Sequence, residues 1–242
     1  MTGFNDLSST LSLLLTRRSA KARDLVGPGP SEDELATILQ AAARVPDHGK
    51  LAPWAFVVIR DRTAFAELLQ HLYRADKPVA GRLELEAMAA FATQAPVLVA
   101  LVSTPREGKI PLWEQQLSAG AAAQNLLIAT HALGYVGNWL TAAPAFLPGI
   151  ADALGHPGGR LAGFFFLGTS KVELEERPRP DQSSIACPPE AKNQPRYRAN
   201  PAATPAYSAM IPSRISFTGR TASIRPATCP DNAMEASMSP PK

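Results

Sequence analysis

Three short runs in the 242-residue chain carry side chains that could do chemistry. Arg17-Arg18-Ser19 sets two guanidiniums and a hydroxyl in consecutive positions, a set able to grip a phosphate through charge-assisted, partly bidentate hydrogen bonds. Taken alone, the same triplet also suits the end of a helix, where positive charge is favoured. Arg44-Val45-Pro46-Asp47-His48-Gly49, leading into Pro53-Trp54, puts Arg44 and His48 in a glycine-containing loop at a sheet edge, a common place for a ligand and as good a description of a solvated loop. Gly134 to Thr141 delivers an indole (Trp139) and a hydroxyl (Thr141) from a strand behind a buried helix, although a tryptophan in that setting equally fits a core.

Other chemistries lack their motifs. There is no G-x-x-x-x-G-K-S/T, no G-x-G-x-x-G behind a strand, no H-E-x-x-H and no G-x-S-x-G. This argues against P-loop ATPases, classical dinucleotide folds, zinc peptidases and serine hydrolases. His48, His71, His131 and His156 are far apart and none has a ligand partner at i+3 or i+4, so no metal site is expected. Cys187 and Cys229 are too few for a disulfide framework or a metal cluster.

The elements that must position these groups follow from periodicity and punctuation. Leu7, Leu11, Leu14 and Leu15 fit one face of a helix ending near Arg17. After the Gly27-Pro28-Gly29-Pro30 turn, Ser31-Glu32-Asp33-Glu34 forms a capping box that opens a helix through Leu35, Ile38, Leu39 and Ala42, stopped by Pro46. Trp54–Ile59 and Pro96–Ser103 read as buried strands. Between them, Asp61 caps a helix from about Thr63 to Arg74, and another helix runs from about Leu83 to Thr93. Pro111, suited to a first turn, opens a long uncharged helix to about Leu133, which Gly134 closes. Val136–Trp139 is a third strand, Phe146–Leu154 a helix and Leu161–Leu167 the last strand. Helices interleaved with four apolar strands predict an α+β fold, a sandwich of helices around one sheet.

The net charge of +3 sits in the wrong place to describe that domain. From Gln182 onward, 61 residues hold 10 of the 23 prolines, no leucine or valine and a net +4, which leaves −1 for residues 1–181. A folded domain over 1–181 and a basic, proline-rich, disordered tail over 182–242 are expected. The tail's cations are scattered among only three aromatic residues, Tyr197, Tyr207 and Phe217, which argues against a nucleic-acid arm. The apolar run Leu11–Leu15 is too short for a signal peptide, and Gln124, Asn125 and His131 interrupt the uncharged stretch after Glu114, so neither export nor a membrane span is expected. The cytoplasm is the expected location.

In order and spacing, these segments resemble the nitroreductase family of FMN-dependent oxidoreductases, most closely its small NAD(P)H nitroreductase branch. The resemblance rests on Arg17-Arg18-Ser19; on Arg44-x-Pro46-Asp47-His48-Gly49 with Pro53-Trp54-x-Phe56; and on Trp113-Glu114-Gln115 with Ser118-Ala119-Gly120. It is completed by Gly134-Tyr135-x-Gly137-x-Trp139-x-Thr141 and Phe166-Leu167-Gly168-Thr169, and covers about residues 8–181. It implies helices around one central, mostly antiparallel sheet, and an obligate homodimer with FMN in two clefts at the interface. The helix from Pro111 would be the interface helix, which accounts for its missing charge.

Carried over residue by residue, Arg17, Arg18 and Ser19 would hold the FMN phosphate, ribityl chain and pyrimidine edge, where a cation favours the reduced, anionic flavin. Arg44 and His48 would reach the FMN of the partner subunit, and Trp139, Leu140 and Thr141 would line the pocket. Ala129, Thr130, His131, Ala132, Leu133 and Gly134 correspond to the part assigned to NADH or NADPH. The implied chemistry is ping-pong hydride transfer from NAD(P)H to flavin N5 and on to a small acceptor such as a nitroaromatic or quinone, with no catalytic side chain. The same fold hosts dehalogenation and flavin fragmentation, and flavin binding without turnover stays open. Two departures stand out: Ala55, where a polar residue is frequent, and Ala142, where glycine is. From Gln182 the chain resembles none of the family's usual ending, as a frame-shifted translation would.

Overall fold

The computed structural model describes residues 3–181 and Ile185. Its spine is β5 (Arg160–Ser170), eleven residues centred on Phe164-Phe165-Phe166. β3 (Val97–Ser103) pairs with β5, and β2 (Trp54–Val58) pairs with β3. β4 (Val136–Leu140) and the two-residue β1 (Leu25–Val26) also pair with β5. Every pairing is antiparallel, so the fold is α+β with a central antiparallel sheet.

Side chains alternate across the strands and divide the core in two. Leu98, Ala100, Phe164 and Phe166 face one side. There they meet Phe65 and Leu69 of α3 (Arg62–Asp76) and Met88 and Phe91 of α4 (Arg82–Ala92). Val99, Leu101, Phe165 and Leu167 face the other side, against α2 (Glu32–Ala42) and α5 (Leu112–Ala132). The capping box of α2 is present as expected: Ser31 Oγ accepts from the Glu34 N–H and the Glu34 carboxylate accepts from the Ser31 N–H. α5 buries Gln115, Ala119, Ala122, Ala123, Leu126, Leu127, Thr130 and His131, a stripe at helical spacing.

Several expectations need correction. The Trp54–Val58 strand is half-buried, because it lies at the edge of the sheet with both faces covered and its outer side open. Among the described residues there are five strands rather than four, since β1 is too short to leave a periodic signal. The helix expected over 146–154 breaks into a 3-10 turn, Ala143–Phe146, and α6 (Ile150–Ala153), because Pro148 cannot continue a helix and Gly149 turns left-handed at φ 77°. Pro111 stands at the N-cap of α5, one position before its first turn. α1 (Thr10–Thr16) buries only Leu13, and Leu11, Leu14 and Leu15 face outward.

The chain divides into two compact units, Met1–Glu176 and Arg177–Lys242. In the second, residues 177–181 are exposed and without regular structure. The expected disorder of 182–242 falls, Ile185 aside, outside the described residues. Among the described residues no helix is long and apolar enough to cross a membrane. Nor do three His, Cys, Asp or Glu side chains there come together as a metal site.

Candidate functional site

Arg17-Arg18-Ser19 lies at the exit of α1, where the chain leaves helical geometry at Arg17 with ψ 123°. Asn5 sets this exit from outside: its Oδ1 accepts from the Arg18 N–H at 2.9 Å and its Nδ2 donates to the Arg18 carbonyl at 3.3 Å. Arg17 Nη1 donates to Ser19 Oγ at 3.0 Å, so the guanidinium and hydroxyl are held together and half-buried. Arg18 points elsewhere. Its Nε donates to the Glu175 carbonyl at 2.6 Å and its side chain lies 3.7 Å from the Glu176 carboxylate. A cavity of about 280 Å3 opens here, lined by Arg18, Ser19, Lys21, Asp24 and the segment Val172–Glu175.

β4 joins the junction through Asn138, whose Nδ2 donates to the Ala20 carbonyl. Strand alternation then separates the three residues expected to share a pocket wall. Leu140 packs on the α3/α4 side, whereas the Trp139 indole stacks on Phe165, a residue of the other core, at 5.5 Å and 22°. Its Nε1 donates to the Ala162 carbonyl at 2.9 Å. Thr141 is exposed just past the end of β4, and Ala142 follows with φ 44°.

The run Ala129 to Gly134 closes α5. Thr130 and His131, its two polar side chains, are fully buried, and Thr130 Oγ1 donates back to the Leu126 carbonyl at 2.8 Å. Ala132, Leu133 and Gly134 are the exposed positions here, and Ala129 is half-buried. Among the described residues, neither ring nitrogen of His131 has a hydrogen-bond partner. Burial pushes its pKa down to about 4; the charge of Arg17 adds to the shift, and the Tyr135 backbone acts the other way.

Arg44 and His48 are exposed and lie along α5. Asn125 Nδ2 donates to the Arg44 carbonyl at 3.1 Å, Ser118 Oγ to the Pro46 carbonyl at 2.8 Å, and His48 Nδ1 lies 2.8 Å from Glu114 Oε2. Asp47 ties off the loop by accepting from the Leu51 and Ala52 N–H groups at 3.1 and 2.8 Å. Beside His48 runs an apolar groove of about 350 Å3 between Pro46, Trp113, Leu117 and Ala121. Glu114 and His131 mark the two ends of α5, about 25 Å apart at the helical rise of ~1.5 Å per residue. Arg17 acts on His131 and His48 pairs with Glu114, so one chain does not bring all the expected site residues together. The sequence reading gave no site role to Asn5, Asn138, Ser118 or Asn125: Ser118 entered only among the residues carrying the resemblance and Asn125 only as a break in the uncharged stretch, while the polar Asn138 inside an apolar strand was a local signal left unused.

An α+β sandwich with an arginine–serine junction at the end of its first helix defines the class, and the chain belongs to the nitroreductase family, whose family model matches residues 14–169. It is 34% identical over 167 residues to "Putative NAD(P)H nitroreductase YdjA" of Escherichia coli strain K12, a match covering 67% of this chain and 89% of that protein. The crystal structure of a nitroreductase-like family protein from Bacillus cereus superposes with a TM-score of 0.62 at 18% identity, covering 77% of this chain and 97% of the other. A nitroreductase with bound FMN from Bacteroides fragilis gives 0.54 at 21% identity, covering 72% and 95%. These two likenesses show the fold.

Proposed function

We propose that the chain is an FMN-dependent oxidoreductase that works as a homodimer. The observation that carries this reading is the junction at the end of α1, in a chain whose family includes the FMN-bound Bacteroides fragilis structure. A half-buried guanidinium already oriented on a hydroxyl suits a phosphate, and the cavity of about 280 Å3 lined by that same Ser19 together with Arg18 suits its ribityl chain. Arg17 and Ser19 would make these contacts directly. Arg18, committed to Glu175 and Glu176, would hold the segment that walls the cavity.

Bound there, FMN would supply two-electron redox chemistry between NADH or NADPH as reductant and a small oxidant such as a nitroaromatic or quinone. The protein's own residues bind, orient and exclude water. Trp139 presents an indole pinned by Phe165 and the Ala162 carbonyl, and Thr141 an exposed hydroxyl. Near-neutral Ala132, Leu133 and Gly134 are the groups of the Ala129–Gly134 run open to a nicotinamide nucleotide.

The separation along α5 supports the dimer. His48, paired with Glu114 at the other end of α5 from His131 and its neighbour Arg17, sits too far from Arg17 to touch the same mononucleotide within one chain, and a second copy removes the difficulty. Leu11, Leu14 and Leu15 on α1 and Trp113 and Leu117 on α5 are exposed apolar side chains of the kind a partner covers.

The test is to purify the protein, record its visible spectrum and add NADH and NADPH without oxygen. A yellow protein bleached by either is expected. A colourless protein that cannot be reconstituted with FMN would overturn the reading, and a yellow one that neither nucleotide bleaches would leave flavin binding without this reductase activity.

A further inference from the structure

We propose that Glu114 is a positioning residue for His48, and that with Ser118 and Asn125 it forms a polar stripe on α5 that fixes the loop reaching a second copy's flavin site. The three side chains follow at intervals of four and seven residues, which places them on one face of the helix. Each holds a different point of the loop: Asn125 the Arg44 carbonyl, Ser118 the Pro46 carbonyl and Glu114 the His48 ring. The loop therefore has little freedom to swing relative to α5.

The Glu114 contact does more than hold backbone. A carboxylate only accepts hydrogen bonds, so at 2.8 Å the His48 Nδ1 must carry the proton and donate it. That fixes both the tautomer and the ring orientation, and leaves Nε2 as the nitrogen presented away from the helix. Glu114 is the only formal charge on the 21-residue helix and sits in its first turn, where a negative charge is stabilised. A charge retained on an otherwise neutral helix and spent on an exposed histidine is poorly explained as a fold stabiliser, because exposed pairs contribute little. It is explained by a His48 that must arrive in one orientation.

This inference rests on the FMN reading, and the experiment separates the two. FMN affinity, thermal stability and oligomeric state are measured on the full chain for wild type, Glu114→Ala, Glu114→Gln, His48→Ala and the double variant His48→Ala/Glu114→Ala. Glu114→Ala is expected to weaken FMN by about tenfold, the lower end of what removing a histidine-orienting carboxylate costs at metal sites. Glu114→Gln, whose amide oxygen still accepts from Nδ1–H, is expected to stay within about twofold of wild type. The double variant should bind no more weakly than His48→Ala, with melting temperature and dimer unchanged throughout. A Glu114→Ala variant that binds FMN like wild type, or a double variant showing the full sum of both losses, overturns the inference alone. Loss of the dimer in Glu114→Ala assigns Glu114 to the interface and also overturns it. A wild-type chain that cannot be loaded with FMN overturns the flavin reading itself.

Discussion

The indole of Trp139 lies across the bare backbone of Gly163. A Cβ at Gly163 would overlap the indole Nε1, and its φ of 151° is one that residues with side chains rarely adopt. The glycine lets the ring settle flat against β5, stacked on its cross-strand partner Phe165 and bonded to the Ala162 carbonyl. A flat indole on the strand is what makes one of its faces available at the proposed site.

Gly163→Ala should therefore cost stability, by about 1–3 kcal/mol as an overpacked core position does. It should also expel the indole from its stack. Urea unfolding and near-ultraviolet circular dichroism check this; a variant with wild-type stability and an unchanged aromatic spectrum would show that the backbone yields instead.

Ala142 makes the opposite prediction. With φ 44° and ψ 178° it occupies a region natural to glycine, which gives a physical reason for the glycine frequent there in the family. Relief of strain, about 1–3 kcal/mol, exceeds the roughly 0.5–1 kcal/mol that glycine's extra freedom costs the folded state. Ala142→Gly should stabilise the protein by about 1 kcal/mol, read from the urea midpoint at constant slope.

His131 sets an acid limit. The unfolded imidazole takes a proton near pH 6.5, while the buried one resists until about pH 4. The unfolded state thus binds the extra proton between those values. The stabilising effect is complete above pH 6.5 and disappears as pH falls through 4, a loss of up to roughly 3 kcal/mol. Comparing urea stability at pH 7 and pH 4.5 in wild type and His131→Leu isolates it: the variant should lose clearly less.

Arg17→Ala should remove the phosphate grip with little change in fold. Hydrogen bonds to charged groups contribute about 1.5–3 kcal/mol, which corresponds to roughly ten- to hundredfold weaker FMN binding. Fluorescence titration measures the affinity and a thermal melt the fold. Unchanged flavin affinity would take Arg17 out of the site.

Much of the framework was legible because it is local. The Ser31–Glu34 capping box, the apolar runs of β3 and β5, and the uncharged α5 each carry their signal within a few residues, and each appears where the sequence puts it. Pro148 and Gly149 were equally local signals for the break between the 3-10 turn and α6, but a helical pattern of apolar residues outweighed them. β1 left no signal, since two residues have no period.

The site divides along the same line. The sequence by itself determined the family, the α+β class and the identity of the Arg17–Ser19 and Arg44–His48 runs, because those are matters of residue type and order. Only the tertiary structure decided how they are used: Arg18 turns to Glu175, Trp139 and Leu140 take opposite faces of β4, and His48 is handed to Glu114 at the far end of α5 from His131. Strand alternation and the rise of one long helix set those outcomes, and both act between residues that the sequence lists far apart or side by side without saying which way they face.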